Sequence, residues 1–594
     1  MFRQQFYAAG CAMIDLELAK TFNRRSALFL GGAAVLTSVI VLRMLQLQVF
    51  QYKKYKSQSL NNAVRIQPII PVRGKILTRD DKFIARDNPI YQIYIIPDEV
   101  KNLAETLEIL GRHIKLSAKN LAKINRIVAV QRGFVPVMVK RDLPWPAFAA
   151  IQKLDLPGVY ARGGFRRSYP FGEEYCHIAG YVGETENSRF WQSGVSGLEK
   201  IFNRQLGGTA GQSAVLVNAV GKISGADDNY FNPEIDGTDL KTTLHAPAQE
   251  KMYEMLAKFK PGAGVAIDIQ TGEVLAICST PGFDANKFYT DAGDEYLAKL
   301  QGDVMKPFIN KAVDGMYPPG STFKIAVALA ALESGAVSPA EKIHCPGYWE
   351  YGGHRYHCWE KHGHGSVNMI DALAHSCDTY FYQIALRVGI DAIKSMALRL
   401  GMTEKFMPDI FPGQPAGVLP DKKWKESVIG QKWQHGDTII SGIGQGFVLT
   451  NPLQLCVMIA RAVSDRAVVP KIIADGGTEK FGEIGLQQKN IRIVMDGLRR
   501  VVQTGGTAAG AGWVLGNMGG KTGTAQVRNI SMAERDRGVL SNEQIDWARR
   551  NHGLFVGFAP ADNPRFAVAV ITEHSGGSGN AARTAAEVLK VLTK

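Results

Sequence analysis

Residues 318–324 read Pro-Pro-Gly-Ser-Thr-Phe-Lys, and they place Ser321 and Lys324 three positions apart. Side chains with this spacing share one face of a helix. The two prolines precede a run of alanine and other apolar residues that reaches Leu332, and Gly335 can end it. The stretch therefore predicts a buried helix with a hydroxyl in its first turn and an amine beside it.

The paired hydroxyl and amine suggest covalent catalysis by a serine. A serine hydroxyl is a weak nucleophile at neutral pH and needs a base. Lys324 can be that base if burial and a neighbouring cation, for which Lys521 is the candidate, lower the pKa of its amine. The free N–H groups and the positive dipole end of the first turn favour negative charge on Ser321. We therefore expect Ser321 to be the nucleophile and Lys324 its base.

A second motif, Ser-Cys-Asp at residues 376–378, follows the helix. Its hydroxyl, on Ser376, would orient or relay the proton between Lys324 and the leaving group. Asp378 only accepts hydrogen bonds when it is ionised, so it could hold a lysine or an amide N–H of the substrate. We therefore expect Ser376 and Asp378 to be catalytic residues.

A third motif is Lys-Thr-Gly-Thr at residues 521–524. We expect Lys521 to be catalytic, because a lysine beside threonine hydroxyls would bind a carboxylate of the substrate. A strand here could also offer a backbone N–H that forms an oxyanion hole together with the N–H of Ser321. The expected substrate-binding or oxyanion residues are Thr522, Gly523 and Thr524.

The segments on either side of the first motif predict strands and helices. Residues 265–268 and 274–278 are apolar and flank a Gln-Thr-Gly-Glu turn, which is typical of a hairpin. Three later segments have the pattern of strands: 520–527, 554–559 and 566–572. The order strands, helices, strands predicts an α+β domain in which helices pack on an antiparallel sheet.

Serine-x-x-lysine, serine-x-acid and lysine-threonine-glycine, in this order, resemble the signature of penicillin-binding proteins and serine β-lactamases. Over nearly its whole length the chain resembles class B penicillin-binding proteins, and most of all their cell-elongation branch, the penicillin-binding protein 2 enzymes. Most class B enzymes have asparagine where this chain has Asp378, whereas aspartate is familiar in the elongation branch. The resemblance to that branch rests on SCDTYFY at 376–382, GDT at 436–438, GIGQG at 442–446 and KTGTAQ at 521–526.

The resemblance divides the chain into two parts. Residues 244–594 resemble the transpeptidase domain, and residues 49–243 resemble the elongated, β-rich, non-catalytic pedestal, which is similar to a dimerisation domain. Within the pedestal we expect a helical head around residues 98–155 and a turn at Asn88-Pro89. The glycine-rich stretch 158–237 predicts mainly loops.

The resemblance implies D,D-transpeptidation of peptidoglycan. Ser321 would attack the carbonyl of the penultimate D-alanine of a stem peptide, and the terminal D-alanine would leave. A side-chain amine of a neighbouring stem peptide would then take the acyl group, while β-lactams would acylate the same serine. A SEDS-family glycosyltransferase of the RodA type and an elongasome scaffold of the MreC type are the implied partners.

The N-terminal region predicts a membrane anchor. Residues 27–42 carry no charge, and Arg43 could snorkel to the lipid headgroups and so lengthen the span. Basic residues precede this segment, and bulky residues follow it where a signal-peptide cleavage site would need small ones. We expect a cytoplasmic tail at residues 1–25, a single transmembrane helix at residues 26–48 in the inner membrane, and a catalytic domain in the periplasm. A cleaved signal peptide is the alternative.

The chain is basic, with 69 Lys and Arg against 55 Asp and Glu and a net charge of +14. Such a charge suits nucleic acid, an anionic membrane surface or an acidic polymer. Because the sequence contains no motif of a nucleic-acid-binding module, we expect no nucleic-acid partner. Solubility and a position near the membrane explain the charge at least as well.

Three of the seven cysteines stand close together among several histidines. A mixed cluster of thiols and imidazoles suits zinc, and some penicillin-binding protein 2 enzymes have a comparable site with carboxylates at some positions. The favoured ligands of a structural zinc are Cys345, Cys358, His364 and Cys377. A disulfide between Cys345 and Cys358, or buried free thiols, are the alternatives, and His357 or His362 could replace His364. The acyl transfer itself needs no cofactor.

Two other classes of protein are alternatives to a transpeptidase. A β-lactamase or a β-lactam sensor shares the serine–lysine chemistry, but a β-lactamase does not need residues 49–243 and a sensor usually has more membrane spans. A scaffold of the cell-wall machinery without catalytic activity would not need three intact motifs. A transpeptidase accounts for both the motifs and the pedestal.

Overall fold

The structure is a computed structural model. It describes residues 4–53, 64–133, 135–183, 192–217, 223–290, 292–474, 476–477, 480–528, 534, 537 and 539–594. The chain begins with a long helix, Gln4–Leu45, which continues as a π-helical turn, Gln46–Phe50. Within it, Asn23–Phe50 contains an 18-residue stretch with a mean hydropathy of 2.1, and it is the one helix of the described residues long and apolar enough to cross a membrane. This candidate span contains the predicted segment 26–48.

The pedestal contains two β-sheets, as its strand-forming residues predict. The first sheet has the order β1-β8-β9 and the second the order β10-β2-β3-β4, with β5 also paired with β3, along its residues 86–95. These strands are β1 Val64–Ile69, β2 Ile76–Leu77, β3 Phe83–Ile95, β4 Val137–Leu143, β5 Val159–Ser168, β8 Gly211–Val217, β9 Ile223–Asn232 and β10 Leu240–Lys241. A short pair, β6 Val182–Gly183 and β7 Ser193–Gly194, lies between them.

The helical head appears as three amphipathic helices on β3 and β4. They are Leu103–Gly111, Ala118–Val130 and Trp145–Lys153. Each of the first two begins at a side-chain cap, Asn102 or Ser117, and their buried faces share one apolar core with Ile93 and Ile95 of β3. The described residues of the pedestal also form four short helices: Pro97–Glu99, Cys176–Ala179, Gly197–Ile201 and Asn203–Gly207.

Two expectations for the pedestal were wrong. Asn88-Pro89 is not a turn, because both residues lie inside β3, where Pro89 pairs with Phe165 of β5. A strand tolerates proline where one side lacks a partner, and among the described strands only β5 pairs with β3 between Ala85 and Tyr91. The stretch 158–237 is also not mainly loops, since strands β5, β8 and β9 come from it. Its glycines were misread as turn signals.

The transpeptidase part is built on a five-stranded antiparallel sheet with the order β12-β11-β19-β18-β17. The predicted hairpin and the three later strands are confirmed as β11 Gly262–Asp268, β12 Val274–Thr280, β17 Gly519–Ala525, β18 His552–Ala559 and β19 Phe566–Thr572. Small antiparallel pairs between them are β13 Ile343–Cys345 with β16 Gly365–Val367, and β14 Tyr348–Tyr351 with β15 His354–His357. The α+β class is therefore confirmed.

Helices cover both faces of this sheet and enclose two apolar cores. The predicted helix after the two prolines is present as a 3-10 turn, Gly320–Phe323, that continues as Lys324–Glu333. The other helices are Ala246–Ala257, Ala285–Tyr289, Gly293–Gln301, Met369–Ala374, Asp378–Val388, Ile390–Arg399, Lys422–Ile429, His435–Ser441, Pro452–Ser464, Gln488–Val501, Ala509–Val514, Asn542–Gln544, Trp547–Arg549 and Gly579–Leu592. The first motif thus lies on a helix in the core, next to strand β17.

Candidate active site

The turn that carries Ser321 lies directly against the third motif. Gly320 has a φ of +53°, and a Cβ added there would come within 2.6 Å of the Thr524 carbonyl oxygen, so only glycine suits this position. The N–H of Gly320 donates to the carbonyl of Gly444 at 2.9 Å. This close approach of backbone to backbone brings half-buried Ser321 beside the end of strand β17.

The amine of Lys324 joins the first and second motifs. This side chain is fully buried, and its Nζ donates to Asp378 Oδ1 at 2.7 Å, to the Ser376 carbonyl at 2.9 Å and to Ser376 Oγ at 3.3 Å. The ring of Phe381 lies on another side, 5.3 Å from Nζ. The structure therefore brings together the expected lysine, serine and carboxylate, which are far apart in the sequence.

The second motif is held by a residue that the sequence did not indicate, Trp359. Asp378 uses both oxygens, because Oδ2 accepts the backbone N–H of Trp359 at 2.9 Å. The indole N–H of Trp359 donates to the carbonyls of His375 at 3.1 Å and Ser376 at 3.2 Å. These contacts reach residues 375–378, which include the second motif. No local pattern in the sequence reveals them.

Lys521 lies on β17 and is fully buried. Burial lowers the pKa of its amine well below the usual lysine value, the positive charge of Lys324 lowers it further, and Asp378 partly opposes the shift. Its Nζ donates to the Thr522 carbonyl at 3.4 Å. We expected Lys521 to stay charged and lower the pKa of Lys324, but burial works against the charged form of Lys521.

The other residues of the third motif face the catalytic turn. A Cβ on Gly523 would come within 2.9 Å of both Pro319 and Thr322, so this glycine permits the close packing of strand and turn. The hydroxyl of Thr522 shares a 2.8 Å hydrogen bond with the hydroxyl of Thr507, which sequence reasoning missed.

The backbone of Thr524 faces the open edge of the sheet. Strand β17 is the last strand of its sheet, and the Thr524 carbonyl accepts a 2.9 Å hydrogen bond from the side-chain amide of Gln445. The N–H and C=O of one strand residue point to the same side, so the Thr524 N–H points to this edge as well. Gln445 belongs to the GIGQG stretch, which had suggested the family without suggesting this contact.

Lys521→Met is expected to stabilise the fold at neutral pH by about 1 kcal/mol or more, because it removes a buried amine next to another cation. In the unfolded chain the amine of Lys521 binds a proton below its usual pKa of about 10.4, whereas burial disfavours that proton in the folded chain. The wild type therefore loses stability as the pH falls below about 10.4. The gain from the mutation should therefore shrink towards that pH. Urea unfolding at several pH values measures it.

Lys489→Met is the matched control for Lys521→Met, since Lys489 is exposed. We expect that control to change the free energy of unfolding by less than about 0.5 kcal/mol at every pH. A loss of stability in Lys521→Met at pH 7 would contradict the unfavourable burial of this amine.

Next to the second motif, three thiols and one imidazole converge. The ligand atoms of Cys345, Cys358, His364 and Cys377 all lie within 4.8 Å of one another. His364 Nδ1 is 3.5 Å from the sulfur of Cys358 and 3.7 Å from that of Cys345. The two alternative histidines, His357 and His362, are not part of this group. Because Cys345 and Cys358 are both free, the disulfide alternative was wrong.

The cluster favours thiolates. Hydrogen bonding by Cys377 lowers the pKa of Cys358 to about 4 and that of Cys345 to about 5. Burial disfavours the charged form of His364, but hydrogen bonds to the sulfurs of Cys358 and Cys345 raise its pKa to about 9. The hydrogen bonds of Cys377 to Cys345 and Cys358 raise the pKa of the Cys377 thiol itself, so the thiolates are favoured at Cys345 and Cys358. Anionic sulfur is the form that binds a metal ion.

Comparison with known families supports the two-part division. The penicillin-binding protein transpeptidase domain matches residues 262–593, and the penicillin-binding protein dimerisation domain matches residues 68–242. The chain belongs to the penicillin-binding protein family. The matched ranges lie inside the predicted domains 244–594 and 49–243, whose exact boundaries stay predictions.

Individual relatives in this family extend over almost the whole chain. The peptidoglycan D,D-transpeptidase MrdA of Acinetobacter baumannii is 33% identical over 97% of this chain and 88% of its own length. MrdA of Escherichia coli K12 is 31% identical over 95% of this chain and 93% of its own.

Solved structures of penicillin-binding protein 2 share the fold. The protein of Helicobacter pylori in complex with MreC has a TM-score of 0.75 and 25% identity, covering 89% of this chain and 98% of that one. The protein of Pseudomonas aeruginosa in complex with WCK 5153 has a TM-score of 0.64 and 30% identity, covering 89% and 96%.

The aspartate of this penicillin-binding protein at position 378 has a local explanation. Lys324 and the backbone of Trp359 both donate to it, one to each oxygen. An asparagine has one acceptor oxygen and one donor NH₂ group, so either orientation would set a donor against a donor. The carboxylate is therefore the side chain that this arrangement requires.

Proposed function

We propose that this penicillin-binding protein is a peptidoglycan D,D-transpeptidase that cross-links stem peptides during cell elongation. The observation that carries the proposal is the contact of Lys324 Nζ with Ser376 and Asp378 one helical turn from Ser321. The MrdA relatives, which are peptidoglycan D,D-transpeptidases, support the same reaction.

In the proposed acylation, Ser321 Oγ attacks the carbonyl carbon of the penultimate D-alanine. Once the amine of Lys324 has released its resting proton, it takes the proton of Ser321 as the new C–O bond forms. The C–N bond to the terminal D-alanine then breaks, and Ser376 relays a proton from Lys324 to the departing nitrogen. An amine of a neighbouring stem peptide next attacks the ester, and Ser321 recovers its proton.

Backbone and side-chain groups of the third motif support this reaction. The backbone N–H groups of Ser321 and Thr524 form the proposed oxyanion hole, since the Thr524 N–H points to the open edge of β17. Lys521 and Thr522 bind the terminal carboxylate of the substrate, whose negative charge favours the protonated form of the buried lysine. Gly523 keeps this strand close enough to the catalytic turn.

The experiment that tests the function follows intact-protein mass after brief exposure to a penicillin. We expect an adduct of the whole drug that lasts for hours, because a transpeptidase deacylates slowly with water. An adduct that clears within seconds would indicate a β-lactamase, and no adduct would leave a scaffold without catalytic activity. Release of D-alanine and a cross-linked product from a stem pentapeptide mixture tests the natural reaction.

The same proposal places the protein in the inner membrane. Asn23–Phe50 is a candidate span, and we propose that residues 1–25 face the cytoplasm and that the pedestal and residues 244–594 face the periplasm. An MreC-type scaffold is a proposed partner, supported by the similar Helicobacter pylori protein in complex with MreC. A RodA-type glycosyltransferase is the second proposed partner and rests on family resemblance.

We also propose that Cys345, Cys358, His364 and Cys377 bind a structural zinc ion. In tetrahedral zinc sites the bond lengths place sulfur and nitrogen ligands about 3.6 Å apart. The two distances from His364 Nδ1 to sulfur, 3.5 and 3.7 Å, agree with this geometry. The residues present therefore suit zinc, which would brace the loop before Trp359 and the start of the helix Asp378–Val388.

Removal of this metal is expected to destabilise the transpeptidase part. Purified protein should contain one zinc per chain, and Cys358→Ala should lose it and melt at least about 5 °C lower. Cys456→Ala is the control, because Cys456 is equally buried but lies outside the cluster. Elemental analysis and thermal unfolding are the measurements. A full zinc content in Cys358→Ala would contradict the assigned ligands.

A further inference from the structure

Trp359 is an exposed aromatic residue whose two N–H groups both bind the second motif and its flank. The residue is 56% exposed, so the ring is not part of the apolar core. Its indole N–H, in contrast, is shared between the carbonyls of His375 and Ser376, and its backbone N–H binds Asp378. The ring contacts His364 of the thiol cluster edge-on, with 5.5 Å between ring centroids, but a large apolar surface left in water is unfavourable, so burial in the core does not explain why this position holds a tryptophan.

The indole N–H acts on the most strained residue of the second motif. Ser376 has a φ of +56°, a left-handed conformation that is unfavourable for a residue with a Cβ. Its carbonyl is fixed in this conformation by two donors, Lys324 Nζ at 2.9 Å and the Trp359 indole at 3.2 Å. The same peptide plane is held at its other end by the Cys377 N–H, which donates to the Ala372 carbonyl at 3.0 Å, so loss of the indole would leave the Ser376 carbonyl with the lysine as its donor.

The position of Ser376 Oγ depends on that peptide plane. Oγ lies 3.3 Å from Lys324 Nζ, at the long end of the hydrogen-bond range, so a small rotation of the backbone would break the contact. Proton transfer requires the two groups to be within reach of one another. Trp359 therefore acts on Ser376 Oγ through the Ser376 carbonyl. We expect these contacts to affect the rate of catalysis rather than the affinity of binding.

We infer that Trp359 is a positioning residue for acylation, and that its indole N–H holds Ser376 in the conformation that relays protons to and from Lys324. This inference rests on the proposed function, because it concerns the same acylation step. Trp359 directly follows Cys358, so the thiol cluster fixes one end of the segment that carries the indole. The indole thus connects the cluster to the reacting groups.

The test measures acylation of the full chain by a fluorescent penicillin, with the dissociation constant K and the acylation rate constant k2 determined separately. Trp359→Phe keeps an aromatic ring and the backbone N–H but removes the indole donor. We expect k2 to fall about 10-fold, K to change less than about 2-fold, and zinc content to stay the same. Trp513→Phe, at a tryptophan that is 84% exposed, should leave both constants unchanged.

A second variant separates the hydrogen bond from the shape of the ring. Incorporation of 3-benzothienylalanine at position 359 replaces the indole N–H by sulfur and keeps the size of the ring. We expect the same loss of k2 as in Trp359→Phe. An unchanged k2 in either variant, or a loss that appears in K instead, would overturn the inference. Failure of the wild type to acylate would overturn the proposed function itself, so the two failures can be told apart.

Discussion

Ser321→Ala is expected to abolish covalent capture of penicillin, with acylation at least about 10⁴-fold slower and D-alanine release lost to the same degree. The reason is that Ser376, the other serine of the site, cannot replace Ser321 as the nucleophile. Ser376 Oγ lies 3.3 Å from Lys324 Nζ, but Ser376 is only 4% exposed and its backbone is held by two hydrogen bonds to its carbonyl. That hydroxyl therefore cannot reach the substrate carbonyl.

The loss in Ser321→Ala should leave the fold intact, since Ser321 is half-buried and the change removes one oxygen. Thermal unfolding should shift by no more than about 2 °C. Ser334→Ala is the control, because Ser334 follows the same helix at its other end and only caps a carbonyl there. Peptide mapping of the wild-type adduct is the decisive measurement, and a drug-modified peptide that lacks Ser321 would refute this assignment.

The sequence predicted those parts of the fold and site that local patterns determine. The hairpin β11–β12 follows from two apolar runs around a short turn, and the helix Lys324–Glu333 follows from prolines before an alanine-rich run. Three motifs in a fixed order then identify the family. The choice of Cys345, Cys358, His364 and Cys377 also agrees with the cluster that the structure shows.

Contacts between distant residues could not be predicted, because no local pattern encodes them. Trp359 binds Asp378 only after both segments have folded around the thiol cluster. The amide of Gln445 finds the Thr524 carbonyl across 79 residues, and buried Arg73 in the pedestal pairs with Glu199 across 126 residues. Proline in β3 and glycine in β5 suggested turns for the same reason, since only the neighbouring strands show that these positions tolerate them.

Lys324→Met is expected to have the second-largest effect and to lower k2 by about 10³-fold or more, because it removes the base. It should also destabilise the protein by about 3 kcal/mol, since Asp378 would then be a buried carboxylate without its cation. Acylation kinetics and urea unfolding measure the two effects. Lys311→Met is the control, because Lys311 is another buried lysine outside the three motifs.

A double mutant shows whether the loss of stability comes from the unpaired charge of Asp378. Replacing the aspartate as well, in Lys324→Met/Asp378→Asn, removes the charge but leaves the base absent. We expect this variant to recover at least about 1 kcal/mol of stability while k2 remains as low as in Lys324→Met. Recovery of acylation without a lysine at position 324 would contradict the assignment of the base.

Lys521, the other lysine of the site, gives a further test of the coupling between these charges. With Lys324 present, the amine of Lys521 is repelled and its pKa is lowered, so Lys521→Met alone is expected to stabilise the protein. Without Lys324 that repulsion disappears, and a protonated Lys521 becomes the cation that compensates Asp378. Lys521→Met should therefore destabilise the Lys324→Met variant. The same substitution is thus expected to change sign between the two backgrounds, which only a shared electrostatic site explains.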